Sequence, residues 1–174
     1  MKSIPNRASK FFRRLLLWNM KRRGLQIADD CRLIAWPSCF GSEPWLVSIG
    51  RHVIISYGVR FITHDGATWV FRNRPGYSGV IRYGRITVHD NCFIGTESVI
   101  LPGVSIGPNS IVGAGAVVRS DIPPDEVWGG VPARYLCRVD DFAQKALHET
   151  PPYDPVNYRR NKREELLRHY PYPW

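Results

Sequence analysis

The sequence predicts an all-β solenoid flanked by short helical segments, and three observations predict it. Between Val88 and Pro123 a large aliphatic residue recurs at every sixth position: Val88, Ile94, Ile100, Ile106, Val112 and Val118. A small or compact residue stands four places after these, at Cys92, Ser98, Val104, Ser110 and Ala116. Glycine follows the aliphatic residue directly at Gly95, Gly107 and Gly113. A helix needs apolar spacings of three and four, and a strand alternates in twos, so a strict period of six demands short straight pieces joined by corners. Three such pieces close one triangular coil. A single coil would leave its apolar face wet, and stacking coils buries the aliphatic column in a shared interior.

The size of the chain agrees with this. Its 174 residues, 44% of them apolar, suit one domain with appendages. The net charge of +9 is placed unevenly. Residues 1–23 contain eight Lys and Arg and no acid, whereas residues 24–133 hold eight basic and nine acidic side chains. A reader of nucleic acid concentrates its positive charge on the folded body, so this distribution argues against one. The four cysteines, Cys31, Cys39, Cys92 and Cys137, form no closely spaced pair, and Cys31 and Cys92 fall on the small inward position of the repeat. Free thiols and a reducing, cytoplasmic compartment are therefore expected. The longest apolar run near the start, Leu15 to Trp18, is too short for a spanning helix or a secretory segment.

In chain order, residues 1–24 form a basic amphipathic arm, with a helix expected over 8–23. Phe11, Phe12, Leu15, Leu16, Trp18 and Met20 spread over about half of its wheel. Lys10, Arg13, Arg14 and Lys21 gather opposite, with Leu17 among them. This apolar arc has two candidate roles. It caps the first coil, or it lies on an anionic membrane surface at the inner face of the membrane.

Residues 25–138 form the solenoid. A weaker repeat starts at Ile27, is interrupted from Pro37 to Pro44, and resumes at Ile49, Ile55 and Phe61. Phe61 and Val88 are 27 residues apart, which is not a multiple of six, so an insertion at about 65–85 leaves the coil. It is expected as a long structureless loop. Its aromatic residues and arginines, among them Trp69, Arg72, Tyr77 and Tyr83, suit a lid over a sugar. Asp121-Ile122-Pro123-Pro124 ends the repeat, and residues 127–136 read as a short extended exit. In the tail, 139–174, helices are expected over 140–149 and 158–169, separated by Pro151, Pro152 and Pro155.

The repeat, the segment Phe61-Ile62-Thr63-His64-Asp65 and the exit Gly129-Gly130-Val131-Pro132-Ala133-Arg134 occur in this order. Together they resemble the hexapeptide-repeat acyltransferases, in the branch that O-acetylates sugars and polysaccharides. The likeness covers roughly residues 27 to 138. It implies a left-handed parallel β-helix, acetyl-CoA as cosubstrate, and a homotrimer with active sites between neighbouring subunits. The acceptor it implies is a sugar or a precursor of a cell-envelope polysaccharide or lipopolysaccharide.

The resemblance makes His64 the general base. An imidazole, with an ordinary pKa near 6.5, is suited to taking a proton from a sugar hydroxyl. Asp65 is its candidate orienting partner. Thr96 matches a coenzyme-contacting position of the family, and Gly113 and Ala114 offer the small side chains beside which a pantetheine arm can run. Arg119 and Ser120 stand where the family has a Thr-Lys pair, and Arg134 matches the basic residue of the exit motif; the two arginines suit phosphates. The chain departs from the family at Val131, often Asn, and at His89, often Gly, which makes His89 the runner-up histidine.

Other readings keep the same fold. An N-acetyltransferase of an amino nucleotide sugar would differ in its acceptor, and a non-catalytic trimeric scaffold or membrane adaptor would not need the His64 motif. A zinc carbonic anhydrase would need three ligating histidines. His52, His64, His89, His148 and His169 lack that family's close spacing, so no metal is expected.

Overall fold

The computed structural model describes residues 7–172. Residues 1–6 of the expected arm, with Pro173 and Trp174 of the tail, lie outside the described residues. The chain divides into two compact units between Val139 and Asp140.

In the first unit, helix α1 (Arg7–Arg22) leads into a coil made of β1 (Gln26–Ile27) and β2 (Arg32–Leu33). The second coil holds β3 (Val47–Ile49), β4 (Ile54–Ile55) and β5 (Arg60–Phe61). The short strands β6 (His64–Asp65) and β7 (Arg82–Tyr83) bound the insertion. The third coil is β8 (Ile86–Val88), β9 (Phe93–Ile94) and β10 (Val99–Ile100), and the fourth is β11 (Ser105–Ile106), β12 (Ile111–Val112) and β13 (Val117–Val118). The unit closes with β14 (Glu126–Gly129) and β15 (Arg134–Arg138).

Strands from successive coils stack in parallel on three faces, in the orders β1-β3-β8-β11, β2-β4-β9-β12-β14 and β5-β10-β13. Val88 sits opposite Ile106, Ile94 opposite Val112 and Ile100 opposite Val118, so one coil takes eighteen residues, or three hexapeptides. All six residues of the aliphatic column are at most 1% exposed. The small inward residues also satisfy backbone carbonyls at the corners: Ser98 Oγ donates to Gly95 O at 2.8 Å and Ser110 Oγ to Pro123 O at 2.8 Å. At another corner His52, Asn91, Asn109 and Asp125 adopt left-handed backbone, with φ between 54° and 61°. Their side chains form a ladder from coil to coil, with 2.7 Å between His52 Nδ1 and Asn91 Oδ1 and 2.9 Å for each of the next two rungs. The exposed ring of His89 stands beside Ser105, with Nε2 3.3 Å from Oγ.

The helix docks through only one member of the expected apolar arc, Met20, together with Arg13 and Leu17 from the basic side. Arg13, Leu17 and Met20, spaced four and three apart, face the body. Arg13 Nη2 donates to Leu33 O at 2.7 Å and Ala35 O at 3.0 Å, while Leu17 packs against the core and Met20 is buried. The open end of the first coil presents backbone carbonyls, and a guanidinium satisfies them where an aliphatic face would leave them dry and unpaired. This places Leu17 among the basic residues for a reason: it belongs to the docking stripe.

The extended exit is a hairpin. β14 pairs antiparallel with β15, with Gly129 opposite Arg134 and a cis Val131–Pro132 bond in the turn. The four cysteines are free.

The second unit is helical: α2 (Val139–Glu149), α3 (Pro155–Arg160) and α4 (Lys162–His169). The single helix expected over 158–169 is two. Pro155 starts α3 instead of breaking it, because a proline at the first helical position has no N–H to leave unpaired. Asp154 caps that end, accepting from Val156 N at 2.8 Å. Asn161, at φ −143°, interrupts the run and caps α4 through its side chain. Glu165 is buried, accepting from Asp154 N and from Asn157 Nδ2, both at 2.8 Å.

Candidate active site

The insertion leaves the third face just after β5. Ile62 N still donates to Ile100 O at 2.8 Å, so the ladder holds up to that residue. The chain then departs at Thr63 and returns at Gly84, whose N–H donates to Thr63 O at 2.9 Å. The antiparallel pairs His64–Tyr83 and Asp65–Arg82 close the neck. The insertion is therefore not structureless. A 3-10 turn over Gly66–Val70 follows the neck, Arg72 lies 4.6 Å from the Trp69 ring centre, and Phe71 meets Tyr77 edge-on.

His64 sits in this neck, its side chain 40% exposed, with the Tyr83 ring 5.8 Å away. Its Nδ1 lies 3.0 Å from Glu43 Oε2, and Thr63 Oγ1 donates to the same oxygen at 2.6 Å. Glu43 is only 15% exposed. Burial pushes its carboxyl up, but hydrogen bonds from Thr63, His64 and Ser42 prevail and hold it below the ordinary value. An ionised carboxylate only accepts, so Nδ1 carries the ring proton and Nε2 is left as a proton acceptor.

Asp65 does not orient the imidazole. Its carboxylate accepts from Ala67 N at 2.9 Å, capping the 3-10 turn, and lies 3.7 Å from Arg82 Nη1. The partner is instead Glu43, which sequence reasoning missed. It lies in the Pro37–Pro44 interruption, between 3-10 turns over Pro37–Phe40 and Pro44–Leu46. One signal could have found it. The first two coils are 22 residues out of register, Ile27 opposite Ile49, and Glu43 precedes His64 by 21, about one coil.

His64 opens on a cavity of about 670 Å³. Asp65, Arg82 and Tyr83 line it from the insertion, and Pro102, Gly103 and Arg119 from the corners of the next two coils. His64 and Arg119 therefore share one edge of the solenoid, with exposed Ser120 beside Arg119. Gly84 makes this approach possible: a Cβ there would lie 2.7 Å from Pro102 C and collide with Gly103 N.

The remaining expected residues stand at a different edge. Thr96 and Ala114 are exposed where the chain turns from the second face to the third, and Gly115 N donates to Thr96 O at 2.7 Å. Gly113 N donates to Trp128 O at 2.7 Å, which stacks the Gly113 corner beside Gly129, the residue opposite Arg134. A Cβ on Gly115 would meet nothing within 4 Å. This edge is thus a shallow, small-residue margin with an exposed guanidinium at its end, and it fits an extended thioester arm bearing phosphates. Within one chain, Thr96, Gly113, Ala114 and Arg134 are not brought together with His64. Among the described residues no three His, Cys, Asp or Glu side chains are grouped as metal ligands.

Comparison with known proteins agrees with the repeat. The bacterial transferase hexapeptide pattern (six repeats) matches residues 85–120. Protein CapG of Staphylococcus aureus is 40% identical over 159 residues, covering 88% of this chain and 91% of that protein. The galactoside O-acetyltransferase of Escherichia coli is 50% identical over 101 residues, or 57% of this chain, which spans only 47% of that relative's length. The crystal structure of a hexapeptide-repeat-containing acetyltransferase from Vibrio cholerae shares the fold at a TM-score of 0.53 and 23% identity, covering 79% of this chain and 83% of that one.

Proposed function

This chain belongs to the hexapeptide-repeat acyltransferase family, and we propose that it is an acetyl-CoA-dependent O-acetyltransferase with a left-handed coil, acting on a hydroxyl of a sugar or cell-envelope glycan. The observation that carries this reading is the His64–Glu43 pair at the mouth of the Arg82–Arg119 cavity. A base whose proton is fixed on Nδ1 offers Nε2 to an acceptor hydroxyl, a group far too weak an acid to react without one. Glu43 stabilises the imidazolium that forms, and Thr63 keeps the carboxylate in place. Tyr83 offers a ring face for sugar CH groups, and Arg82 a donor for hydroxyls.

Acetyl-CoA, when bound, supplies an activated acyl carbonyl. Thr96, Gly113, Ala114 and Arg134 would hold its arm and phosphates along their edge, and Arg119 and Ser120 would meet it from the His64 edge. Because these edges belong to different corners of the coil, the working site requires a second copy, and the assembly is a homotrimer with sites between neighbouring subunits. The edge separation within one chain supports this arrangement, as does the family resemblance.

The test is thiol release from acetyl-CoA by the purified protein with a panel of sugars and extracted glycans. His64→Ala should lower kcat by roughly 10²- to 10⁴-fold and leave acetyl-CoA affinity nearly unchanged. Full activity of His64→Ala on a hydroxyl acceptor would overturn the reading, and activity of that variant confined to amine acceptors would replace it with N-acetylation.

A further inference from the structure

Helix α1 meets the solenoid through one stripe and leaves a second, larger one open. Arg13, Leu17 and Met20 face the body. On the other side Phe11, Phe12, Leu15, Leu16 and Trp18 are 37–64% exposed. At 100° per residue these five cover an arc of about 160°, as wide as the buried face of an ordinary amphipathic helix. Capping the coil needs only the docking stripe, so the cap does not explain a run of exposed Phe, Leu and Trp. A contiguous exposed apolar patch of this kind marks a surface that meets something else.

The charges around the arc say what that is. Lys10 and Arg14 line its edge together with the exposed Trp18, and the Arg22 guanidinium lies 4.8 Å from the Trp18 ring centre. No acid occurs in the sequence before Asp29. A two-fold contact with a second copy would oppose this edge with the same basic arm, a like-charge contact. A layer of acidic headgroups over an apolar interior complements both the edge and the arc. The helix is 16 residues long, and no helix of the described residues is long and apolar enough to cross a membrane, so α1 would lie in the plane of the surface.

We propose that the open arc of α1 seats the protein on an anionic phospholipid bilayer, with Phe11, Leu15 and Trp18 in the headgroup–acyl boundary and Lys10 and Arg14 among the acidic headgroups. This surface is separate from the catalytic edge, and the proposal does not depend on the reaction assigned above.

The experiment is co-sedimentation of the full chain with vesicles of phosphatidylcholine alone and of phosphatidylcholine containing about 30% phosphatidylglycerol. Binding should be at least about tenfold tighter to the anionic vesicles and should weaken as salt is raised. Phe11→Ser with Trp18→Ala, and separately Lys10→Gln with Arg14→Gln, should each lower the partition coefficient roughly tenfold or more. All four positions lie off the docking stripe, so the thermal midpoint should be that of the parent, and a common midpoint separates lost binding from lost fold. No binding to anionic vesicles, or equal binding to neutral ones, would overturn the proposal. So would a change in sedimentation coefficient of the Phe11/Trp18 variant in lipid-free solution, which would assign the arc to a contact between copies.

Discussion

Nδ1 of His64 and Oε2 of Glu43 stand 3.0 Å apart although 21 residues separate them in the chain. The contact joins two departures from the repeat, the Pro37–Pro44 interruption and the neck of the insertion, where the chain leaves the coil at Thr63 and returns at Gly84.

Glu43 is a positioning residue. Glu43→Gln keeps the shape but removes the charge facing the imidazolium, so kcat should fall about 10- to 100-fold with KM for acetyl-CoA unchanged. A kcat left at the parent value, or a fall in kcat matched by an equal loss of acetyl-CoA affinity, would reduce Glu43 to a packing role.

The same residue links stability to pH. Its folded carboxyl titrates below the ordinary value of 4.5, so its contribution is fully present above that value and is lost as pH falls through the lowered folded value. Denaturant unfolding of the parent and of Glu43→Gln should therefore differ at pH 7 and converge as the pH falls through the lowered folded value of the carboxyl. Glu43→Ala, which strands the buried Thr63 hydroxyl, should cost about 1–3 kcal/mol at pH 7.

A site shared between copies predicts complementation. His64→Ala and Ala114→Trp should each be inactive alone, the first without its base and the second with a blocked thioester margin. Mixed oligomers formed by co-expression at equal levels should recover roughly a quarter of the parent activity, because one interface in four then pairs two intact edges. Recovery of none would place both edges' work within one subunit.

Gly84→Ala should damage both stability and site. The added methyl meets Pro102 C at 2.7 Å and Gly103 Cα at 2.9 Å, backbone that cannot swing aside. A loss of about 1–3 kcal/mol is expected from overpacking. Displacement of β7 should also move Tyr83 and Arg82 from the cavity, so that KM for the acceptor rises more than KM for acetyl-CoA. The thermal midpoint and the two KM values check this.

The sequence by itself determined the solenoid, since a six-residue period is incompatible with helix or alternating strand, and every member of the column from Val88 to Val118 is buried as that period requires. It also placed His64 near the point where the chain leaves the coil, because phase is lost between Phe61 and Val88. Three matters were decided only in three dimensions. Asp65 neighbours His64 in the chain, but a side chain's direction is set by the turn it caps, and its carboxylate went to Ala67 N. The docking face of α1 depended on the carbonyls it had to satisfy, which favoured Arg13 over the more apolar arc. Whether Thr96 and Ala114 lie beside His64 or around a corner from it depends on which face each hexapeptide occupies. That is a property of the closed coil, and no residue type records it.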